Sequence, residues 1–429
     1  MNFLPKKLSQ EFRDALDLLE SEATPIFLTG KAGTGKSTLI SIFRKTTRKK
    51  VAILAPTGVA ALHVKGQTIH SFFGFAPHAI HRENVRKRSN RKLYQTLDAI
   101  LIDEISMVRV DLLHMIDDFL RLNRESSLPF GGCQMIFVGD LFQLPPVIST
   151  REESELLSMN FDSPYFFDAP GIHQSNGMHC FELNKVYRQE EMYFLKFLNA
   201  VRRDQVDHDL LADINAEIHG TFDDDESYIT LTSTNAKAIQ INNAFLSEID
   251  EEESVFLATI TGKISKSAFP ADEVLRLKKG AQVMFVKNDT AKRYVNGTLG
   301  VVADIQEDSI IVDIQSEEES KRVVVEREKW EIIKYRLSKD VPGKLEMEVV
   351  SSYIQFPLKL AWAITIHKSQ GKTFDKVMID LGRGAFAYGQ TYVALSRCRT
   401  LHGIRVSRPL EKKDIFVDHR IVDFYYSIL

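Results

Sequence analysis

The stretch Gly30-Lys31-Ala32-Gly33-Thr34-Gly35-Lys36-Ser37-Thr38 constrains this chain more than any other part of it. It follows a bounded apolar run, PIFLTG (25–30), and opens a segment from Lys36 to Thr46 with helical spacing. Glycines placed this way let backbone N–H groups crowd round triphosphate oxygens, and a helix N-terminus adds its positive end. Lys36 brings a point charge to the β- and γ-phosphates, and the Ser37 hydroxyl is suited to ligate Mg2+. Such a loop needs a strand before it and a helix after it. The chain is therefore expected to be an α/β protein that binds ATP and Mg2+.

The rest of the first half agrees. VAILAP (51–56), LDAILIDE (97–104) and QMIFVGD (134–140) are near-continuous apolar runs of strand length, as in strands buried on both faces of a parallel sheet. Helical patterns lie between them, including Val110 to Asn123. Asp103-Glu104 closes the third run, a position from which Asp103 can hold Mg2+ and Glu104 can polarise an attacking water. A second α/β block starts at YITLTS (228–233), with a helix from Asn235, and resumes at KVMIDL (376–381), with a helix from Gln390. Between about 254 and 356 the pattern changes to short β-type runs such as GTLGVVADI, SIIVDIQ, KRVVVER and EVVSSYIQF, which predicts a small antiparallel barrel inserted into the second block.

With 429 residues, 44% hydrophobic and 26% charged, the chain fits a globular protein of roughly three domains. No run is long enough to span a membrane and the N-terminus carries no secretory pattern, which points to a bacterial or viral-host cytoplasm. Cys133, Cys180 and Cys398 fit neither a zinc site nor a disulfide framework. The net charge of −3 argues against a protein that coats nucleic acid by charge alone, but basic residues crowd at 44–50 and 82–92 while acids crowd at 223–226, 250–253 and 317–319.

Further motifs narrow the class. GDLFQLPPV (139–147), VYRQ (186–189), NGTLG (296–300), HKSQGKTF (367–374) and YVALSRCRT (392–400) occur in this order, and PFGGCQMIFVGD leads into the first of them. Together they resemble the superfamily-one helicases of the petite-integration-frequency type, with RecD-like helicases as near relatives, over nearly the whole chain. The resemblance implies two RecA-like P-loop motor domains with a small inserted barrel of the Src-homology-three kind. The first motor domain would span 1–180, with a 1B insertion at about 64–96. The second would comprise 181–253 and 357–429, and the barrel, 2B, would be 254–356.

It also implies roles. Gln143 would sense the γ-phosphate, Arg188 and Arg397 would reach across the cleft to it, and Gln10 would read adenine. A metaphosphate-like transition state spreads negative charge over its equatorial oxygens, which suits a planar, permanently charged arginine. Pro56, Thr57, Gly58, His70 and Phe72 (or Phe73) of the first domain would grip single-stranded DNA with Thr234, Asn235, His367, Lys368 and Ser369 of the second. The implied activity is ATP-driven 5′-to-3′ translocation by a monomer that unwinds forked duplex DNA and, in some relatives, G-quadruplexes. Processes of that kind include DNA repair, recombination and telomere maintenance. Alternatives at this point are a RecD-like translocase subunit and an ATP-set DNA-binding switch. The stretch HRENVRKRSNRK (81–92) holds six Arg or Lys residues against one acid, and Arg86, Arg88 and Arg91 are expected near duplex or fork phosphates.

Overall fold

Strands β1 (Ile26–Gly30), β2 (Val51–Ala55), β3 (Gln67–Thr68), β4 (Ala99–Ile102), β5 (Gln134–Val138) and β6 (His179–Leu183) form one parallel sheet in the order β3-β2-β4-β5-β1-β6. The computed structural model describes residues 8–75, 85–148, 150–175, 177–189, 191–222, 227–314, 321–338 and 340–428. The acidic clusters at 223–226 and 317–319 and the first part of the basic stretch, 81–84, lie outside the described residues. β1, β4 and β5 are buried along their whole length because both faces are covered. One face carries the helices Gln10–Ser21 and Lys36–Thr46 through Phe12, Leu16, Leu19, Leu39 and Phe43. The other face meets the helix Val110–Arg124 and a cluster rich in aromatic rings. Since the strands run parallel, the phosphate loop after β1, Asp103 after β4 and Asp140 after β5 all emerge at the same edge of the sheet, where ligands of such folds bind.

The second motor sheet is also parallel. β7 (Ile229–Thr232) leads into the helix Asn235–Glu248, and the sheet is completed by strands that come only after the insertion. The insertion supplies β8 (Ser254–Leu257), β9 (Thr259–Thr261), β10 (Val274–Leu277), β11 (Gln282–Phe285), β12 (Leu299–Ile305), β13 (Ser309–Ile314), β14 (Lys321–Glu326), β15 (Glu328–Leu337), β16 (Leu345–Gln355) and β17 (Leu358–Leu360). β18 (Ala363–Thr365), β19 (Val377–Asp380) and β20 (Ile404–Val406) then join β7 in the order β18-β7-β19-β20. Within the insertion β14-β13-β12-β11-β17 form an antiparallel sheet that shares one core with β8 and β10. Among the described residues no helix is long and apolar enough to cross a membrane.

Four boundaries shift from the sequence reading. β6 pairs with β1 as far as Leu183, so a domain limit at 180 cuts through a strand. The barrel extends past 356, because β17 pairs with β11. The 1B limits of 64–96 are too wide: β3 belongs to the main sheet, and Ile69, Phe72, Phe73, Phe75, Leu93 and Tyr94 are buried in the first domain's core. Last, the helix His419–Ile428 leaves the second domain and buries Ile421 and Tyr425 in that same core, with Phe424 stacked 3.9 Å from Phe167.

The hairpin β15-β16 also crosses to the first domain. A register shift between Ile332 and Ile333 kinks it, and beyond that kink Tyr335 enters the first domain's core. β3 covers only Leu54 and Ala55 of β2. The N–H of Ile53 is left to donate to the Tyr335 hydroxyl at 3.1 Å, while Tyr335 N–H donates to Gln67 Oε1 at 3.1 Å. Replacing Tyr335 by Phe removes the acceptor of that buried N–H, which costs about 1–3 kcal/mol. The urea midpoint should fall by a corresponding amount. An unchanged midpoint would show that water reaches Ile53 and that the hairpin is not fastened there.

Candidate functional site

The phosphate loop turns on Gly33 and Gly35, whose φ values of 83° and 87° belong to the left-handed region that glycine tolerates. A Cβ on Gly33 would lie 2.6 Å from the Cβ of Arg188, so the loop and the VYRQ segment touch backbone to backbone. Tyr187 N–H donates to Gly33 O at 2.9 Å. Lys36 curls over the loop and donates to Gly30 O (2.5 Å) and Lys31 O (3.0 Å). Burial lowers its pKa; the carboxylates of Asp140, Glu104 and Asp103 act the other way. Ser37 and Thr38 are exposed at the start of the helix.

Across the sheet edge, burial and the neighbouring Glu104 push the Asp103 carboxyl up to about 7. Burial likewise raises Glu104, opposed by Lys36 and Arg397. Glu104 itself sits at φ 51°, an unusual conformation for a residue with a side chain, and one often found at functional positions. The donor set of Ser37 and Asp103, a hydroxyl and a carboxylate, suits a hard cation such as Mg2+.

The second domain contributes the opposite wall. Arg188 Nη1 donates to Ser396 O at 3.0 Å, and Gln189 Nε2 donates to Ser396 O and Cys398 O. Arg397 is 1% exposed, yet its guanidinium bonds only to neutral groups: Val393 O, Ser396 Oγ and, at 3.4 Å, Ser369 O and Lys372 O. Burial and the adjacent Arg188 push its pKa down to about 9. Burial lowers Arg188 too. Gln143 is buried between the walls and accepts a 3.4 Å bond from Gln370 of the HKSQG segment. The structure thus brings Lys36, Glu104, Gln143, Arg188 and Arg397 to one cleft. Gln10 is exposed and bonded to Asp14, on the helix whose Phe12 meets Tyr187 edge-on at 6.2 Å.

Several expected DNA contacts need correction. Phe72 and Phe73 are both core residues, packed on each other and on Tyr94 and Phe119, so neither ring is open to a base. Ser369 is fully buried, with its hydroxyl spent on Ile366 O. Gly58 is covered by Ala268 of the insertion, 2.5 Å from where its Cβ would be. Arg88 holds the carbonyls of Phe73 and Gly74, and Arg91 pairs with Glu125. Arg86 is exposed and its carbonyl accepts from Asn123. Pro56, His70 and His367 are half-buried, while Thr57, Thr234, Asn235 and Lys368 are exposed; Thr57 and Thr234 cap the helices that follow them.

Sequence reasoning missed Asp140, Tyr392, Tyr187 and Arg202. The first three stand inside quoted motifs without an assigned role. Arg202 ends an ordinary amphipathic helix, where an arginine is expected simply as a partner for the helix dipole.

The family model of the PIF1-like helicases matches residues 7–209, and that of the Pif1 2B domain matches 263–305. The ATP-dependent DNA helicase Pif1 of Bdellovibrio bacteriovorus is 36% identical over 98% of this chain and 92% of its own length. The chain spans only 61% and 63% of the zebrafish and mouse relatives. Bacteroides sp. Pif1 in complex with ADP-AlF4 superimposes with a TM-score of 0.89 at 37% identity, covering 99% of this chain and 97% of that one. Bacteroides Pif1 bound to ssDNA, with the same identity and coverage, gives 0.69.

The burial of Phe72 is open to test. Phe72→Ala should destabilise the fold by about 3–5 kcal/mol, seen as a lower thermal midpoint, and leave the affinity of the folded protein for single-stranded DNA at the wild-type level. Weakened DNA binding with an unchanged midpoint would put the ring back on the DNA track.

Proposed function

The chain belongs to the PIF1-like helicase family, and from that premise we propose that it is an ATP-driven helicase that translocates on single-stranded DNA and opens forked duplexes. The observation that carries the reading is the cleft itself. Lys36 and Glu104 stand on one motor domain and face Arg188 and Arg397 of the other, and among the described residues neither arginine makes an ion pair.

In this reading the loop N–H groups and Lys36 bind the triphosphate of ATP. Ser37 and Asp103 would hold Mg2+, which would supply positive charge to the triphosphate. Glu104, whose proton affinity burial raises, is the carboxylate that takes the proton of the attacking water. Gln143 orients that water or the γ-phosphate, and Arg188 and Arg397 meet the charge that spreads over the equatorial oxygens. Thr57, Thr234, Asn235, His367 and Lys368 lie on segments that would hold DNA phosphates by hydroxyls, amides and charge. Burial lowers Lys368, and Lys372 is pushed down to about 8, so a phosphate beside either would be met by charge that the protein leaves unneutralised. Movement from 5′ to 3′ and action as a monomer are part of the same proposal and rest on the resemblance. Arg86 remains the basic-stretch residue offered to the fork.

Lys36→Ala should abolish ATP turnover without loss of fold; wild-type turnover in this variant would end the assignment. Arg188→Ala and Arg397→Ala should each cut turnover by about 10³–10⁵-fold with a smaller effect on nucleotide affinity, as for other arginine fingers. Loss of affinity with turnover kept at saturating ATP would contradict that role. Strand displacement separates the remaining readings. Duplexes with a 5′ single-stranded tail should open and those with only a 3′ tail should not. DNA-stimulated ATPase without displacement would indicate a translocase subunit, and no stimulation a binding switch.

A further inference from the structure

Arg202 ends the helix Met192–Arg202, whose Phe194, Phe197, Leu198 and Val201 belong to the second domain's core. Its side chain leaves that core and enters the first domain, where it is 1% exposed. Nη2 and Nε donate to Asp140 Oδ1 at 3.0 and 3.3 Å. The guanidinium lies 4.3 Å from the ring centre of Phe142 and 5.4 Å from that of Tyr425. Nη1 stops 3.9 Å from Glu182 Oε1, longer than a hydrogen bond. A charge this far from water is costly to keep. Neither Arg202 nor Asp140 is among the groups assigned above to ATP or DNA.

Asp140 does more than neutralise this arginine. Its Oδ1 also accepts the N–H of Phe142 (3.2 Å), and its carbonyl accepts the N–H of Gln143 (3.0 Å). Asp140 therefore folds the turn that presents Gln143 to the cleft. Its Oδ2 accepts the hydroxyl of Tyr392, which in turn accepts Ala32 N–H of the phosphate loop. Gly389, which precedes Tyr392, packs so closely on the turn that a Cβ there would lie 2.3 Å from Phe142 O. One carboxylate thus touches the sensing turn, the phosphate loop through a tyrosine, and an arginine of the opposite domain. Displacement of the second domain would draw on Arg202, and through Asp140 on Gln143 and Ala32 together.

We propose that Arg202 is a positioning residue for ATP hydrolysis: it transmits the placement of the second motor domain, through Asp140, to the Gln143 turn and the phosphate loop. The inference rests on the hydrolytic reading given above and adds the link by which DNA held on the second domain acts on the nucleotide. Coupling free energies of this kind correspond to about 5–150-fold in the linked property.

The test compares Arg202→Met, Arg202→Lys and the double variant Asp140→Asn/Arg202→Met with the wild type. Thermal midpoint, KM for ATP and kcat on saturating single-stranded DNA are measured for each. Arg202→Met strands the Asp140 charge and lowers the midpoint; the double variant removes that charge and restores it. A misplaced catalytic group costs about 10²-fold in rate. That fall in kcat is expected in both Met variants, with KM for ATP changing much less and Arg202→Lys intermediate. Recovery of kcat together with the midpoint in the double variant would mean that the pair only stabilises the fold, and would overturn the proposal. So would wild-type kcat in Arg202→Met, or failure of all three variants to fold. A wild-type protein whose ATPase ignores single-stranded DNA would instead count against the hydrolytic reading, before any variant is compared.

Discussion

Positive charge gathered in a dry cleft, with too little negative charge of the protein's own to meet it, governs the rest of this structure. Arg397 is enclosed by carbonyls and a hydroxyl, and burial with Arg188 beside it holds its pKa near 9. Lys36 is bonded to the carbonyls of its own loop. Both groups hydrogen-bond only to neutral partners, and withdrawing such charge from water is costly. A polyphosphate placed among them restores what burial removed. Lys36 belongs to one motor domain and the arginines to the other, so the ligand that relieves the charge must also draw the domains together. On the proposed reading, binding energy and domain closure would be the same event.

The scaffold keeps that cleft in register while tolerating a large interruption. β7 and β18 are neighbours in one sheet, although the whole barrel lies between them in the sequence. Closing so long a loop costs little more than closing a short one, provided that its two ends are fixed side by side. Two side-chain amides, one half-buried and one buried, do this. Asn242 donates to Ala363 O and accepts Ala363 N–H, both at 2.8 Å, binding the helix after β7 to the strand that follows the barrel. Gln282 of β11 donates to Tyr228 O and Ala361 O, at the roots of β7 and β18. The barrel is thus rooted in the second motor domain while its longest hairpin rests on the first.

Much of this was legible in the residues, and the reasons differ from place to place. The helix Lys36–Thr46 and the strands before Gly30, Asp103 and Asp140 are signalled locally, by continuous apolar runs and by a glycine pattern with one chemical purpose. The cleft residues could be named because their motifs carry a resemblance, not because anything near Arg188 or Arg397 in sequence shows a phosphate. Phe72 misled for a physical reason: in a short segment, a ring that packs beneath a strand cannot be told by spacing from one that stacks on a base. Arg88 misled similarly, since a basic run says nothing of which guanidinium will be claimed by the carbonyls of Phe73 and Gly74. Arg202 and Asp140 are far apart in sequence and meet only when two domains are folded and docked. No local pattern encodes such a pair.

Three of the contacts between the domains differ in their chemistry. Arg202 is sunk in the first domain at Asp140, Tyr335 of the barrel hairpin is bonded to Ile53 and Gln67, and the last helix is buried with Phe424 stacked on Phe167. The last of these is apolar and well packed, with the Tyr165 hydroxyl also donating to Asp418 at 2.9 Å, and gains nothing from a nucleotide. It serves as an anchor. The hairpin contact depends on one hydroxyl and one amide in addition to its packing, and is the easier of the two to exchange for another partner. The Arg202 contact is a charged pair, so its strength depends on what other charge enters the cleft. A small displacement at Asp140 changes more electrostatic energy than one at the apolar helix. The residue best placed to feel that displacement is the one whose backbone turn carries Gln143.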